Sequence, residues 1–237
     1  MSAPRLFWVA QRRWRTGWPP VEFALDEPNG LIAAGGDLEP ATLIDAYRRG
    51  LFPWFGPEDP ILWWCPEPRA VLWPQDFVPS RSLAKRLRRR EFAVRFDTAF
   101  DAVVAACAAP RPGANGTWIT PAMLDAYGAL HRLGYAHSVE AWQDGELVGG
   151  LYGVALGQVF FGESMFAWRT DASKVAFAHL VRVLLRQGCR LIDCQVASAH
   201  LTSLGAVDMP RAEFLTCVDA LARAPDPRGP WHGDDDL

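Results

Sequence analysis

Cysteine is sparse and unpatterned: the chain has five (Cys65, Cys107, Cys189, Cys194 and Cys217), an odd number, widely spaced and without a C-x-x-C pair. That excludes a secreted disulfide framework and points to a reducing compartment. Cys189, Cys194 and His200 lie close in sequence, but their spacing matches no standard metal site. Long apolar runs are missing as well. The longest uncharged stretch, residues 147–162, holds five glycines, and a membrane helix needs roughly 20 apolar residues. The N-terminus has no apolar signal-peptide core. Its Arg5, Arg12, Arg13 and Arg15 faintly resemble a transit peptide, yet Trp8, Trp14 and Trp18 among them favour a structured extension. A soluble, cytoplasmic protein is expected. No repeat or low-complexity tract is present. Nor is there an excess of charge of either sign, since the net charge is −3 and the pI about 6.0. A nucleic-acid surface would have to be a local patch.

What remains is a chain of 237 residues, 50% of them hydrophobic. That is enough for a real core in one large domain or two unequal ones. Eleven Trp and thirteen Phe supply flat rings of the kind that stacking sites use. Residues 1–68, rich in Pro, Gly and Trp, read as a small N-terminal domain. One helix is expected there, with Pro40 in its first turn, Leu43, Ile44, Ala46 and Tyr47 at helical spacing, and Gly50 just past its end.

Residues 69–237 have a different texture. Residues 80–90 read as a helix with Leu83 and Leu87 inward, followed by a strand on Phe92, Val94 and Phe96. A helix is expected over residues 98–108, and another opens at Thr120-Pro121 and closes at Gly134. Strands follow over 135–142 and 146–155, joined by the turn signal Asp144-Gly145. A third strand over 158–163 ends at Glu163. Asp171 is expected to cap a long helix that buries Val175, Leu180, Val183 and Leu184, before a buried strand at residues 191–195. Two helices, three strands, a helix and a strand is the order of an α/β (α+β), acyl-CoA N-acyltransferase-like (GNAT-like) fold. Fold alone does not give function.

Four stretches carry chemistry. Between residues 81 and 95 seven cations (Arg81, Lys85, Arg86, Arg88, Arg89, Arg90, Arg95) face one acid, Glu91. They suit either a phosphate backbone or a solvated helix face. Trp118, in Gly116-Thr117-Trp118-Ile119, and Trp54, in Phe52-Pro53-Trp54-Phe55, are core plugs or platforms for a base. Glu163 is placed to anchor a cation, orient a substrate or cap backbone amides. Asp193 and Gln195, two apart on a strand, are expected to emerge on one face beside an apolar wall. An acyl-CoA enzyme would carry a glycine-rich pyrophosphate loop before its long helix. Residues 164–174, SMFAWRTDASK, contain no glycine, which argues against an acyl-CoA donor and leaves open an acyl group carried on RNA.

Ten segments in order over residues 23–215 then resemble the leucyl/phenylalanyl-tRNA–protein transferases: EPNGLIAAGGDL, AYRRGLFPWF, PILWW, GTWI, LGYAHSVE, LVGGLYGV, FFGESMF, ASK, LIDCQ and HLTSLGA. The resemblance implies an enzyme that moves Leu, Phe or, less efficiently, Met from aminoacyl-tRNA to a protein beginning with Arg or Lys, marking it for N-end rule degradation. It implies no metal or organic cofactor. Trp54 and Trp118 would hold the terminal adenosine, and Leu151, Phe160, Met165, Phe177 and Ile192 would line the donor side-chain pocket. Asp193 and Gln195 would form the central polar pair, with Glu163 for the acceptor. Arg81, Lys85, Arg86, Arg88, Arg89 and Arg90 would meet the tRNA body. One departure stands out: Ala167-Trp168-Arg169 replaces the family's usual Ser-Arg. A monomer is expected. The rival readings are an acyl-CoA N-acyltransferase, separated by CoA binding, and a non-catalytic RNA-binding module, which would tolerate loss of Asp193 and Gln195.

Overall fold

The computed structural model describes residues 6–10, 17–110 and 117–232. Arg5, Arg12, Arg13, Trp14, Arg15 and Gly116 lie outside the described residues. The chain opens with β1 (Phe7–Val9), β2 (Leu31–Gly35), α1 (Pro40–Arg48), β3 (Phe52–Pro53) and β4 (Leu62–Trp64). The four strands form a small sheet in the order β1-β2-β4-β3. Helix α1 begins at Pro40, whose missing N–H costs nothing there, and buries Leu43, Ala46 and Tyr47 on one face.

From residue 69 the chain builds a second sheet. Its elements are β5 (Arg69–Leu72), α2 (Arg81–Arg89), β6 (Ala93–Phe96), α3 (Phe100–Ala108), α4 (Pro121–Arg132), β7 (Ala136–Gln143), β8 (Glu146–Leu156), β9 (Val159–Ala167), α5 (Ala172–Arg186), β10 (Leu191–Gln195), α6 (Ala199–Ser203), β11 (Val207–Met209) and α7 (Arg211–Leu221). The seven strands run in the order β11-β5-β10-β9-β8-β7-β6. The run α3, α4, β7, β8, β9, α5, β10 is the acyltransferase-like order expected of a mixed α/β chain. Asp144 and Gly145 both take positive φ (54° and 81°), the geometry of the tight turn joining β7 to β8. Gly149 is required by packing, because a Cβ there would lie 2.5 Å from Ala172 Cβ at the start of α5.

Two expectations need correction. β9 does not end at Glu163 but runs on to Ala167, because residues 164–167 keep a partner in residues 149–152 of β8. Asp171 stands at the N-cap of α5, but at φ 67° its side chain makes no capping bond. Its carboxylate accepts from Arg86 Nε at 2.7 Å and lies 3.6 Å from Lys174 Nζ.

Alternation along the strands gives the large sheet two buried faces. Leu151, Phe160 and Ile192 face α5 with Phe177 and Leu180. Tyr152, Phe161 and Leu191 share the opposite core with Leu43 and Tyr47 of α1, Val103 of α3 and Phe214 of α7. The small sheet's Phe52 and Trp63 belong to that same core.

Across this core runs a buried ion pair. Arg69 of β5 reaches Asp193 of β10 with Nε–Oδ1 at 2.7 Å and Nη2–Oδ2 at 2.6 Å, both side chains having no exposed surface. The guanidinium lies over the rings of Phe52 (4.8 Å) and Phe214 (4.4 Å). Removing one member strands the other's charge, which costs about 3–5 kcal/mol, whereas replacing both with apolar groups costs much less. Arg69→Met should therefore lower unfolding free energy in urea by about that amount, and Arg69→Met with Asp193→Leu should recover most of the loss. Equal losses in the single and double variants would contradict the stranded-charge account.

Candidate active site

The site exists because two parallel strands part. β9 and β10 are paired over Leu191 with Val159, Ile192 with Phe160 and Asp193 with Phe161. Beyond Asp193 the register ends, and residues 162–168 and 194–198 border a cavity of about 780 Å³. Its apolar wall contains Leu151, Phe160, Met165, Phe177 and Ile192, the five residues expected to hold the donor side chain. Glu163, Gln195 and Trp118 border the same space. A smaller cavity of about 170 Å³ adjoins it, bordered by Phe52, Trp54, Trp118, Glu163 and Gln195. Trp54 is 45% exposed, so it is not a core plug.

Glu163 sits half-buried where the two cavities meet. Tyr47 Oη, from α1, lies 2.7 Å from its Oε1, and Tyr127 Oη, from α4, lies 2.6 Å from its Oε2. The two hydroxyls are 2.5 Å apart. Burial is the main cause that lifts the Glu163 carboxyl from 4.5 to about 7, opposed by the Tyr127 and Tyr47 hydrogen bonds. Asp193 lifts it further and Arg69 pulls it down. Neither tyrosine stood out as a polar residue in the sequence, because both occupy positions that read as helix core. The repeated aromatic hydroxyl in otherwise apolar stripes was the available signal.

Asp193 and Gln195 both border the large cavity, but their side chains do not leave one strand face together. Strand alternation fails between them: the β10–β5 register shifts there and Gln195 takes φ 57°. Asp193 is turned inward to Arg69, and its Oδ1 also accepts the Gln195 backbone N–H at 2.9 Å. Its carboxylate therefore fixes the loop that presents Gln195. The Gln195 side-chain amide makes no hydrogen bond among the described residues. No sequence motif gives His200 a role, yet it borders the large cavity with its Nε2 3.0 Å from Met165 Sδ. Burial, with Lys174 nearby, lowers its pKa and keeps the imidazole neutral.

The basic helix α2 lies apart from both cavities. Arg81, Lys85, Arg88, Arg89 and Arg90 are exposed. Arg86 is not a free cation: it bridges Asp171 at 2.7 Å and Glu91 at 2.6 Å, pinning α2 to the start of α5. That start therefore carries an acid where an acyl-CoA enzyme would seat pyrophosphate. In the departure segment, Trp168 is 58% exposed at the cavity rim, and Arg169 does not border the cavity. Among the described residues no group of three His, Cys, Asp or Glu converges on a metal position, and no helix is long and apolar enough to cross a membrane.

Two family models match the chain. "Leucyl/phenylalanyl-tRNA protein transferase" covers residues 71–219, and the N-terminal domain of the same family covers residues 36–67. A leucyl/phenylalanyl-tRNA–protein transferase of Alkalilimnicola ehrlichii is 55% identical over 98% of this chain and 91% of its own length. One from Chromohalobacter salexigens is 60% identical over 92% of this chain and 85% of its own. Among solved structures, a GCN5-related N-acetyltransferase from Kribbella flavida superposes with a TM-score of 0.38 at 12% identity, over 70% of this chain and 59% of its own.

The environment of Glu163 gives a pH signature. A carboxyl whose pKa is raised on folding favours the folded state most below its unfolded value, and that contribution disappears as pH rises through the folded value. The stability of the native chain relative to Glu163→Gln should therefore fall between pH 4.5 and about 7, read from paired melting curves. A difference that stays flat across that window would contradict the burial of this carboxyl.

Proposed function

This chain belongs to the leucyl/phenylalanyl-tRNA–protein transferases, a family of aminoacyltransferases that act between tRNA and protein, and we propose that it moves Leu or Phe, and less efficiently Met, onto the N-terminal Arg or Lys of acceptor proteins. The acceptors are thereby marked for N-end rule degradation. The enzyme works as a cytoplasmic monomer, with residues 1–68 and 69–237 as its two parts. One observation carries the reading: Glu163 and Gln195 border both cavities at once. A terminal adenosine in the smaller cavity and an amino-acid side chain in the larger one would put the ester bond between these two residues.

The chemistry is aminolysis of an ester. The acceptor amine attacks the aminoacyl carbonyl, the C–N bond forms, the C–O bond to the ribose breaks, and the amine proton passes to the ribose oxygen. The ester is already activated, so the protein's work is positioning and electrostatic support. Trp54 and Trp118 grip the adenine, each base–ring contact being worth about 1–3 kcal/mol. Leu151, Phe160, Met165, Phe177 and Ile192 accept side chains unbranched at Cβ. Apolar shape alone separates such side chains by only about 1–3 kcal/mol per methylene, so Leu, Phe and Met are all used. The free Gln195 amide orients the carbonyl. Asp193 acts through Gln195 and is a positioning residue. Glu163 meets the acceptor's cation.

The decisive assay is transfer of labelled Leu or Phe from charged tRNA to a model protein beginning with Arg, beside a Met-initiated acceptor and acetyl-CoA as alternative donor. Transfer to the Arg acceptor alone is expected. Gln195→Gly should keep the melting temperature, since glycine suits φ 57°, while transfer falls by about 10²-fold. Salt-dependent binding of charged tRNA without any transfer would replace the enzyme by an RNA-binding module.

The exposed and the paired cations of α2 should separate. Lys85→Ala or Arg88→Ala should weaken tRNA binding and flatten its salt dependence, as expected when a phosphate contact is lost. Arg86→Ala should mainly lower stability, because its partners are the protein's own Asp171 and Glu91. The reverse pattern in filter binding and melting would remove α2 from the RNA surface.

A further inference from the structure

Three oxygen–oxygen contacts close a triangle around Glu163. Tyr47 Oη to Oε1 is 2.7 Å, Tyr127 Oη to Oε2 is 2.6 Å, and Tyr47 Oη to Tyr127 Oη is 2.5 Å. Contacts this short are O–H···O hydrogen bonds, each needing one proton between its oxygens. The two phenols supply two protons. If both point at Glu163, the two hydroxyl oxygens face each other at 2.5 Å with only lone pairs between them. A third proton removes the conflict. The carboxyl O–H donates to Tyr127, Tyr127 donates to Tyr47, and Tyr47 donates to the other carboxyl oxygen. The carboxyl is the group that must carry this proton, because a neutral phenol has only one.

The surroundings agree. The groups that face Glu163 are Tyr47 from α1, Tyr127 from α4, Tyr152 from β8, Asp193 from β10 and Arg69 from β5. Burial, followed by Glu163 itself, holds all three phenols above their ordinary range, so none of them yields a proton near neutrality. Arg69 is the single cation in this set, and Asp193 already neutralises it at 2.6 Å. Burial, with Asp193, outweighs the two phenol hydrogen bonds and Arg69, which favour the charged form.

We propose that Glu163 is an un-ionised carboxylic acid in the free protein and that docking of the acceptor's cationic N-terminal residue expels its proton, which makes acceptor recognition proton-linked. This rests on the reading that Glu163 meets the acceptor. The balance is simple: one carboxyl O–H bond breaks, one proton leaves to water through the open cavity, and one carboxylate remains against one cation. The ionised carboxylate then accepts from both phenols, and the Tyr47–Tyr127 hydrogen bond opens. Tyr47 and Tyr127 are positioning residues that set the point at which this happens.

The first arm of the test needs no substrate. Infrared spectra of the free protein should show the carbonyl band of an un-ionised carboxyl at pH 6 that is lost by pH 8 and is missing from Glu163→Gln. Tyr127→Phe, which removes one donor to the carboxylate, should move that transition to higher pH. The second arm is calorimetric titration with a peptide amide beginning with Arg, at pH 6 in two buffers of different ionisation heat. Close to one proton should be released per peptide bound. With the carboxyl titrating at about 7, linkage makes the peptide bind about tenfold more weakly at pH 6 than at pH 8, beyond any change seen in Glu163→Gln. Binding without proton release, or a protein without the band, overturns the proposal while the transferase reading stands. A peptide that neither binds nor accepts Leu or Phe overturns both, even if the band is present.

Discussion

A single buried ion pair holds the site in register. Arg69 and Asp193 have no exposed surface, and their bidentate contact joins β5, the first strand after the small sheet, to β10, the strand that ends in the cavity. The pair is sandwiched by Phe52 from the small sheet and Phe214 from α7, so three segments of the chain close on one charge. An ion pair this deep is costly to assemble and weak as a source of stability. Its value is geometric. Asp193 also accepts the Gln195 backbone N–H, and that bond holds Gln195 in the left-handed conformation that frees its amide.

Glu163 plays the complementary part. It brings α1 of the first sixty residues and α4 of the larger part to one carboxyl group, through Tyr47 and Tyr127. The two regions are therefore not independent modules near the site, since they share both a hydrogen-bond triangle and a core. This coupling puts a group that titrates near neutrality beside the place where, on the proposed reading, an amine must attack an ester.

The division between the two cavities follows from strand geometry. Parallel strands that stay paired leave no room for a ligand. β9 and β10 pair over three residues and then separate, and the space between them is walled by apolar side chains from β8, β9, α5 and β10. Gly149 lets α5 sit close against β8 beside this space, while the bulged end of β10 turns Gln195 toward it. Backbone irregularities, not unusual side chains, thus build the polar edge of an apolar cavity.

Much was legible in the sequence alone. Periodicity, caps and turns placed α1, α2, α4 and the β7–β8 hairpin, because those signals are local and short in range. Ordered segments identified the family, and the five apolar pocket residues do meet in one cavity. The errors have a common cause. Glu163 looked like a strand end because the residues after it alternate poorly, yet β8 supplies partners for four more. Asp193 and Gln195 looked like neighbours on one face because alternation is the default, and only the bulge overrides it. Asp171 looked like a cap because of its position, while Arg86, 85 residues earlier, claims its carboxylate. Arg69 and Tyr127 looked unremarkable beside their neighbours. Which segments fold and which family they build can be read from the residues alone, since those depend on local propensity and residue identity. Which charges are free, which are spent on one another and which carboxyl keeps its proton was decided only in three dimensions. Burial and pairing depend on groups brought together from distant parts of the chain.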